Sequence, residues 1–153
     1  MIDNVPHVKS PDELTEIFRA RGLKMTPQRQ CIFRVLHRMA GVHPTAEAVH
    51  AAVVEELPTV SLKTVYQTLN DLSGMGELHH IDLGTGSGRF DTTLDAHQHL
   101  VCDACGRVWD VHGDFSGVRM PADVSTGFRV SSTDIVFRGQ CERCAASRVG
   151  APN

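Results

Sequence analysis

The chain has 153 residues, of which 41% are hydrophobic and 22% charged, with a formal net charge of −3. That length and balance allow one medium or two small soluble domains and argue against general attraction to nucleic acid. No apolar run reaches the roughly 18 residues of a membrane helix, and Met1 to Pro11 lacks a signal-peptide pattern, so a cytoplasmic protein without a membrane span is expected.

Residues 1–11, with Pro6 and Pro11, read as irregular. Leu14, Ile17 and Phe18 then repeat at helical spacing. Ser10 or Pro11 starts this helix, Asp12, Glu13 and Glu16 suit its positive end, and Gly22 stops it. A second helix starts at Thr26-Pro27, where threonine caps and proline loses no needed N–H. Ile32, Val35, Leu36 and Met39 form its inward stripe, Cys31 is a small helix residue, and Gly41 ends it. Arg19, Arg21, Lys24, Arg29, Arg34 and Arg38 fall in residues 19–38 without an acidic residue, which predicts a local positive surface with Arg19 and Arg29 as backbone contacts to a duplex. Thr45 caps a third helix that buries Ala48, Val49, Ala52 and Val53 before Pro58.

Ser61 caps a fourth helix with Leu62, Val65, Leu69 and Leu72 on one face. Lys63, Tyr66, Gln67 and Asn70 lie towards the other, beside Thr64 near the helix start. A stripe of donors, amides and one aromatic suits a major groove, with Lys63, Thr64, Tyr66 and Gln67 as the contacting residues. After Gly74 and Gly76, Leu78 to Leu83 reads as a strand, Gly84 to Gly88 as a turn and Arg89 to Thr92 as the paired strand. Helices followed by such a wing make a winged helix-turn-helix domain over residues 1–91. The GTGSG turn lacks the following helix and the GK[ST] of a phosphate loop, so a wing explains its glycines.

Residues 92–153 form the second expected domain. Leu100-Val101 and Val108-Trp109 read as strands flanking a CxxC knuckle, 113–127 as a poor helix, 128–138 as strand with an exposed edge at 133–138, and the tail from Ser147 as loose. Cys102 and Cys105, with Cys141 and Cys144, supply the four thiolates of a closed structural zinc site. Five cysteines of which four are in CxxC pairs fit metal in a reducing compartment better than disulfides. His97 and His99 are two apart and point to one face of a strand. With Asp91 and Asp110 nearby they make a nitrogen–oxygen set that suits iron(II) or manganese(II). The fold class is therefore α+β: a winged-helix domain, then a small zinc-stabilised α/β domain that pairs with a second copy to bury enough surface. A zinc hydrolase, for which no general base or substrate pocket is visible, and a protein-only adaptor, which leaves the 61–72 face unused, are the rival classes.

Five motifs carry a resemblance: T-x-Q-R from Thr26 to Arg29, HPTAEAV at 43–49, SLKTVYQTLNDL at 61–72, HQHLVCDACG at 97–106 and CERC at 141–144. In this order they resemble the ferric uptake regulator family. The resemblance implies no enzyme and no organic cofactor, but a homodimeric, metal-dependent repressor on inverted-repeat operator DNA. It also implies structural zinc on Cys102, Cys105, Cys141 and Cys144, and a regulatory metal on His43, Asp91, His97, His99 and Asp110. Aspartates at 91 and 110 resemble the peroxide-sensing branch, in which ligand histidines, here His43 or His97, are oxidised and the operator is released. An iron- or zinc-responsive repressor of the same fold is the alternative. Ala96 and Gln98 match ligands of the family's additional site but cannot serve as such, and Gln67 stands where the family often has arginine.

Overall fold

Ser10, Thr26, Thr45 and Ser61 each accept a backbone N–H three residues on, from Glu13, Arg29, Ala48 and Thr64, and each thereby starts a helix. The helices are α1 (Pro11–Ala20), α2 (Pro27–Arg38), α3 (Ala46–Glu56) and α4 (Leu62–Gly74). Ser10 and Glu13 complete a reciprocal capping box on α1. These features come from a computed structural model in which residues 8–124 and 127–149 are described. The chain divides into two compact units, Met1–Asp95 and Ala96–Asn153.

In the first unit the apolar stripes of the four helices meet in one core. Phe18, Ile32, Phe33, Val35, Leu36, Val49, Val53, Val65, Leu69 and Leu72 are all buried there. Phe18 meets Phe33 edge to face at 4.9 Å, a favoured aromatic geometry. Burying each such side chain stabilises the fold by about 1.5–3 kcal/mol, so Leu69→Ala costs about 2–5 kcal/mol. The expected stripes shift in detail. Phe33 and Thr68 are buried, whereas Ala48, Ala52 and Leu62 are not fully covered, because each helix packs over an arc that differs from a single row. Cys31 is fully buried beside the Glu56 carboxylate. The wing is the antiparallel pair β1 (His79–Ile81) and β2 (Arg89–Asp91), in register His80↔Phe90. It is shorter than the strands expected at 78–83 and 89–92, since the glycine-rich segment between holds no ladder.

The second unit is a three-stranded sheet of order β4-β3-β5 with a terminal helix. β3 (Gln98–Cys102) pairs antiparallel with β4 (Val108–Val111) and parallel with β5 (Val136–Gly139). Only β5 forms from the strand expected at 128–138. Residues 128–135 are polar-interrupted and lie outside the sheet. The helix expected over 113–127 is replaced by turns among its described residues, as Gly113, Gly117 and Pro121 break any helical run. Residues 1–7, 125, 126 and 150–153 lie outside the described residues. Ser147 does not begin a loose tail: it lies within α5 (Glu142–Val149), which follows directly from the second cysteine pair's first member.

Candidate metal centres and nucleic-acid interface

The cysteine centre is built where β3 and β5 end side by side. Beyond Cys102 the chain turns, the Gly106 N–H donating to the Cys102 carbonyl at 2.8 Å. Gly106 has φ +69°, a conformation that glycine adopts without penalty. The Asp103 N–H donates to the Gly139 carbonyl at 2.8 Å and so fastens one knuckle to the other. Cys141 and Cys144 flank the start of α5. The four sulfurs all lie within 4.8 Å of one another, and Cys105 and Cys141 are 4.0 Å apart. Four thiolates at zinc–sulfur distances of ~2.3 Å stand about 3.8 Å from each other, so the cluster fits tetrahedral zinc with little adjustment. The Cys141 N–H points at the Cys102 sulfur at 3.4 Å. Donation from the Cys141 and Cys105 backbone lowers the Cys102 thiol to about 6. Cys144, crowded by Cys141 and Cys105, is pushed up to about 12. One thiolate thus forms readily while another resists, and a bound cation favours ionisation of both.

The candidate imidazoles and carboxylates fall into two groups, one within each unit. In the first unit His43 is buried with φ +54°, the left-handed region, and it precedes Pro44. A bulky residue held there stores about 1–3 kcal/mol of strain, a feature concentrated at functional sites. Arg89 Nη1 donates to the His43 carbonyl at 3.0 Å, and the Phe90 N–H donates to the Pro44 carbonyl at 2.9 Å. The wing strand is thereby pinned to the turn before α3, which brings buried Asp91 within 3.6 Å of His43 Nε2. Asp91 Oδ1 also accepts the Thr93 N–H at 2.8 Å, which orients the carboxylate.

In the second unit His97 and His99 point to one side, as their spacing predicts, with Nε2 atoms 3.2 Å apart. Asp110 sits across from His99 in the β3–β4 register and places Oδ1 3.4 Å from His97 Nε2. Within this unit His97, His99 and Asp110 make a nitrogen–oxygen donor set, chemically unlike the thiolate cluster. Gln98 is engaged otherwise, its Oε1 accepting the Ile135 N–H at 2.7 Å. His79, His80 and His112 belong to neither metal-ligating group among the described residues. His80 stacks on Phe90, and the His112 ring lies 5.6 Å from that of His97.

On α4 the expected contact residues share one side. Lys63, Tyr66, Gln67 and Asn70 are exposed, and Thr64 is half-buried with its hydroxyl 3.0 Å from that of Ser61. Lys63, Thr64 and Gln67 border a groove shared with Lys24, Thr26 and Arg29 at the start of α2. The basic run is less positive than residues 19–38 alone predict. Arg19 pairs with Glu16, Arg29 with Asp71, and both Arg34 and Arg38 with Glu56. The acids come from before this run and from helices after it, so a window confined to the run misses them. Sequence reasoning also missed Asp71 and Glu47, which hold Gln67 and Tyr66. The Gln67 to Asp71 spacing of four on a helix was the available signal.

A capped four-helix unit with a two-stranded wing, followed by a small sheet carrying a four-cysteine centre, defines a winged-helix regulator of the metal-binding kind. The chain belongs to the ferric uptake regulator family, which matches residues 20–138; it is a family of transcriptional regulators, not of enzymes. Its sequence resembles the peroxide-responsive branch. It is 33% identical to the peroxide operon regulator of Bacillus subtilis over 135 residues, covering 87% of this chain and 92% of that one. It is 31% identical to the peroxide-responsive repressor PerR of Staphylococcus saprophyticus over 134 residues, covering 87% and 89%. Among solved structures, the Campylobacter jejuni peroxide stress regulator is 28% identical with a TM-score of 0.58, covering 86% of this chain and 99% of that one. The Helicobacter pylori ferric uptake regulator has a TM-score of 0.71 over 90% and 95% of the two chains, a likeness of fold at 21% identity. No helix among the described residues is long and apolar enough to cross a membrane.

Proposed function

We propose that this chain is a cytoplasmic, homodimeric repressor of inverted-repeat operator DNA that responds to hydrogen peroxide. Structural zinc is assigned to Cys102, Cys105, Cys141 and Cys144. The regulatory ligands are His43 and Asp91 from the first unit with His97, His99 and Asp110 from the second, holding iron(II) or manganese(II). The observation that carries this reading is the makeup of the two partial sets: a strained, buried His43 beside Asp91, and paired histidines beside Asp110. One ion taking ligands from both units would restrain the hinge between them, and so the angle at which α4 is offered to a groove. Lys63, Thr64, Tyr66 and Gln67 would meet the operator, with Arg19 and Arg29 near its backbone.

Bound iron(II) would activate hydrogen peroxide, with the ligand histidine as the net two-electron reductant: one peroxide oxygen would pass to a ring carbon and the other would leave as water. His43 and His97 have side chains almost wholly shielded from water, so oxidation is confined to the ligands themselves. A histidine that gains oxygen donates more weakly, the two units part, and the operator is released. The relatives named for peroxide response support this reading.

The test is anaerobic iron loading, a brief peroxide pulse, then peptide mass mapping beside an operator-binding assay. An added oxygen on His43 or His97 with loss of binding is expected. Unaltered histidines with metal-dependent binding favour an iron- or zinc-responsive repressor, which the same donor set also suits. Binding that ignores metal overturns both.

A further inference from the structure

Gln67 and Asp71 lie one turn apart on α4, and Gln67 Nε2 donates to Asp71 Oδ1 at 3.0 Å. The other carboxylate oxygen, Oδ2, accepts Arg29 Nη2 at 2.9 Å. Arg29 is fixed in turn: Nη1 donates to the Lys24 carbonyl at 2.6 Å, and the guanidinium lies 5.2 Å over the Phe18 ring. The Arg29 and Asp71 side chains are 18% and 20% exposed, so this pair is shielded while Gln67 is exposed.

A carboxylate bound to arginine accepts hydrogen bonds and gives none. It therefore decides which end of the Gln67 amide faces it. The NH2 turns inward, and the carbonyl oxygen stays outward with the second N–H hydrogen available beside it. An unconstrained glutamine flips between two presentations at little cost; this one has a single presentation. An outward acceptor beside a donor is the complement of the adenine edge, which offers N6–H and N7 in the major groove.

Resting on the reading that α4 enters a major groove, we propose that Asp71, anchored by Arg29, is a positioning residue that locks the Gln67 amide for an adenine. The specificity of one operator position then resides partly in a residue that touches no base. Replacing the Asp71 carboxylate by its isosteric amide reverses the polarity. Arg29 still takes the one acceptor oxygen of the substituted side chain, which leaves an NH2 facing Gln67. Gln67 must then turn its carbonyl inward and show its NH2, which suits the two acceptors of guanine.

The experiment selects sites from a randomised duplex pool with the manganese-loaded full chain, comparing wild type with Gln67→Ala, Asp71→Ala and Asp71→Asn. The expected wild-type result is adenine at one position of each half-site, lost in Gln67→Ala. Asp71→Ala weakens that preference about five- to tenfold at that position alone. Asp71→Asn, unchanged in volume, moves the preference to guanine. Retained adenine preference in Asp71→Asn, or an Asp71→Ala loss spread evenly over all positions, overturns the proposal while leaving the repressor reading in place. So does a Gln67→Ala variant that selects the wild-type site. A wild-type chain that enriches no sequence overturns both.

Discussion

The Tyr66 hydroxyl on α4 donates to the Glu47 carboxylate on α3 at 2.8 Å. The bond holds Glu47 below the usual carboxylate range and lifts the Tyr66 phenol above its own. With its hydrogen so engaged, Tyr66 cannot donate to a phosphate, and what it brings to a groove is its ring. Tyr66→Phe should then lower operator affinity by less than about threefold, whereas Tyr66→Ala should lower it about tenfold or more, roughly 1.4 kcal/mol. The salt dependence of binding should be equal in both, since no phosphate contact is removed. Fluorescence anisotropy over a salt series measures all three. A tenfold loss in Tyr66→Phe would make the hydroxyl the operative group.

The second unit has almost no core of its own. Val101, Cys102 and Val108 are its buried apolar residues among those described, against sixteen in the first unit's cluster. A zinc bound by four thiolates contributes on the order of 10–16 kcal/mol. Chelation should therefore unfold β3, β4 and β5 and leave α1 to α4 intact. Hydrogen exchange resolved by peptide checks this: protection should vanish over 98–111 and 136–139 and persist over 27–38 and 62–74. Cys105→Ala should behave like the chelated chain.

His43 occupies a backbone conformation that asparagine tolerates better than most residues. His43→Asn should leave the melting temperature within a few degrees of wild type, because lost packing is offset by relieved strain of about 1 kcal/mol. Manganese-dependent operator binding should fall about tenfold or more, since an amide is a poor stand-in for imidazole. A melting curve beside a manganese titration separates the two effects. Unchanged metal response in this variant would remove His43 from the ligand set.

The helical half was legible because its signals are local. Ser10, Thr26, Thr45 and Ser61 announce each start in the residue itself, and proline or glycine marks most of the ends. The sheet half was less so. β5 forms where Phe137 and Arg138 meet Leu100 and Val101, a pairing with a distant segment that no window around 128–138 can register. α5 has no apolar stripe, and its start is set by the Cys141–Cys144 turn, so periodicity passes over it. The cysteines and His97–His99 were visible as spacing, because two or three residues fix their separation. The company of Arg29 and Tyr66 was not, because Asp71 and Glu47 reach them through the packing of separate helices.

The parallel pairing of β3 with β5 has a bearing on biogenesis. Strands 98–102 and 136–139 must both have left the ribosome before either can join the other, and the second cysteine pair emerges later still. The four helices and the wing, made earlier in the chain, can mature while that stretch is still in the exit tunnel. A stalled or truncated product would thus carry a finished α4 with nothing yet made to govern it.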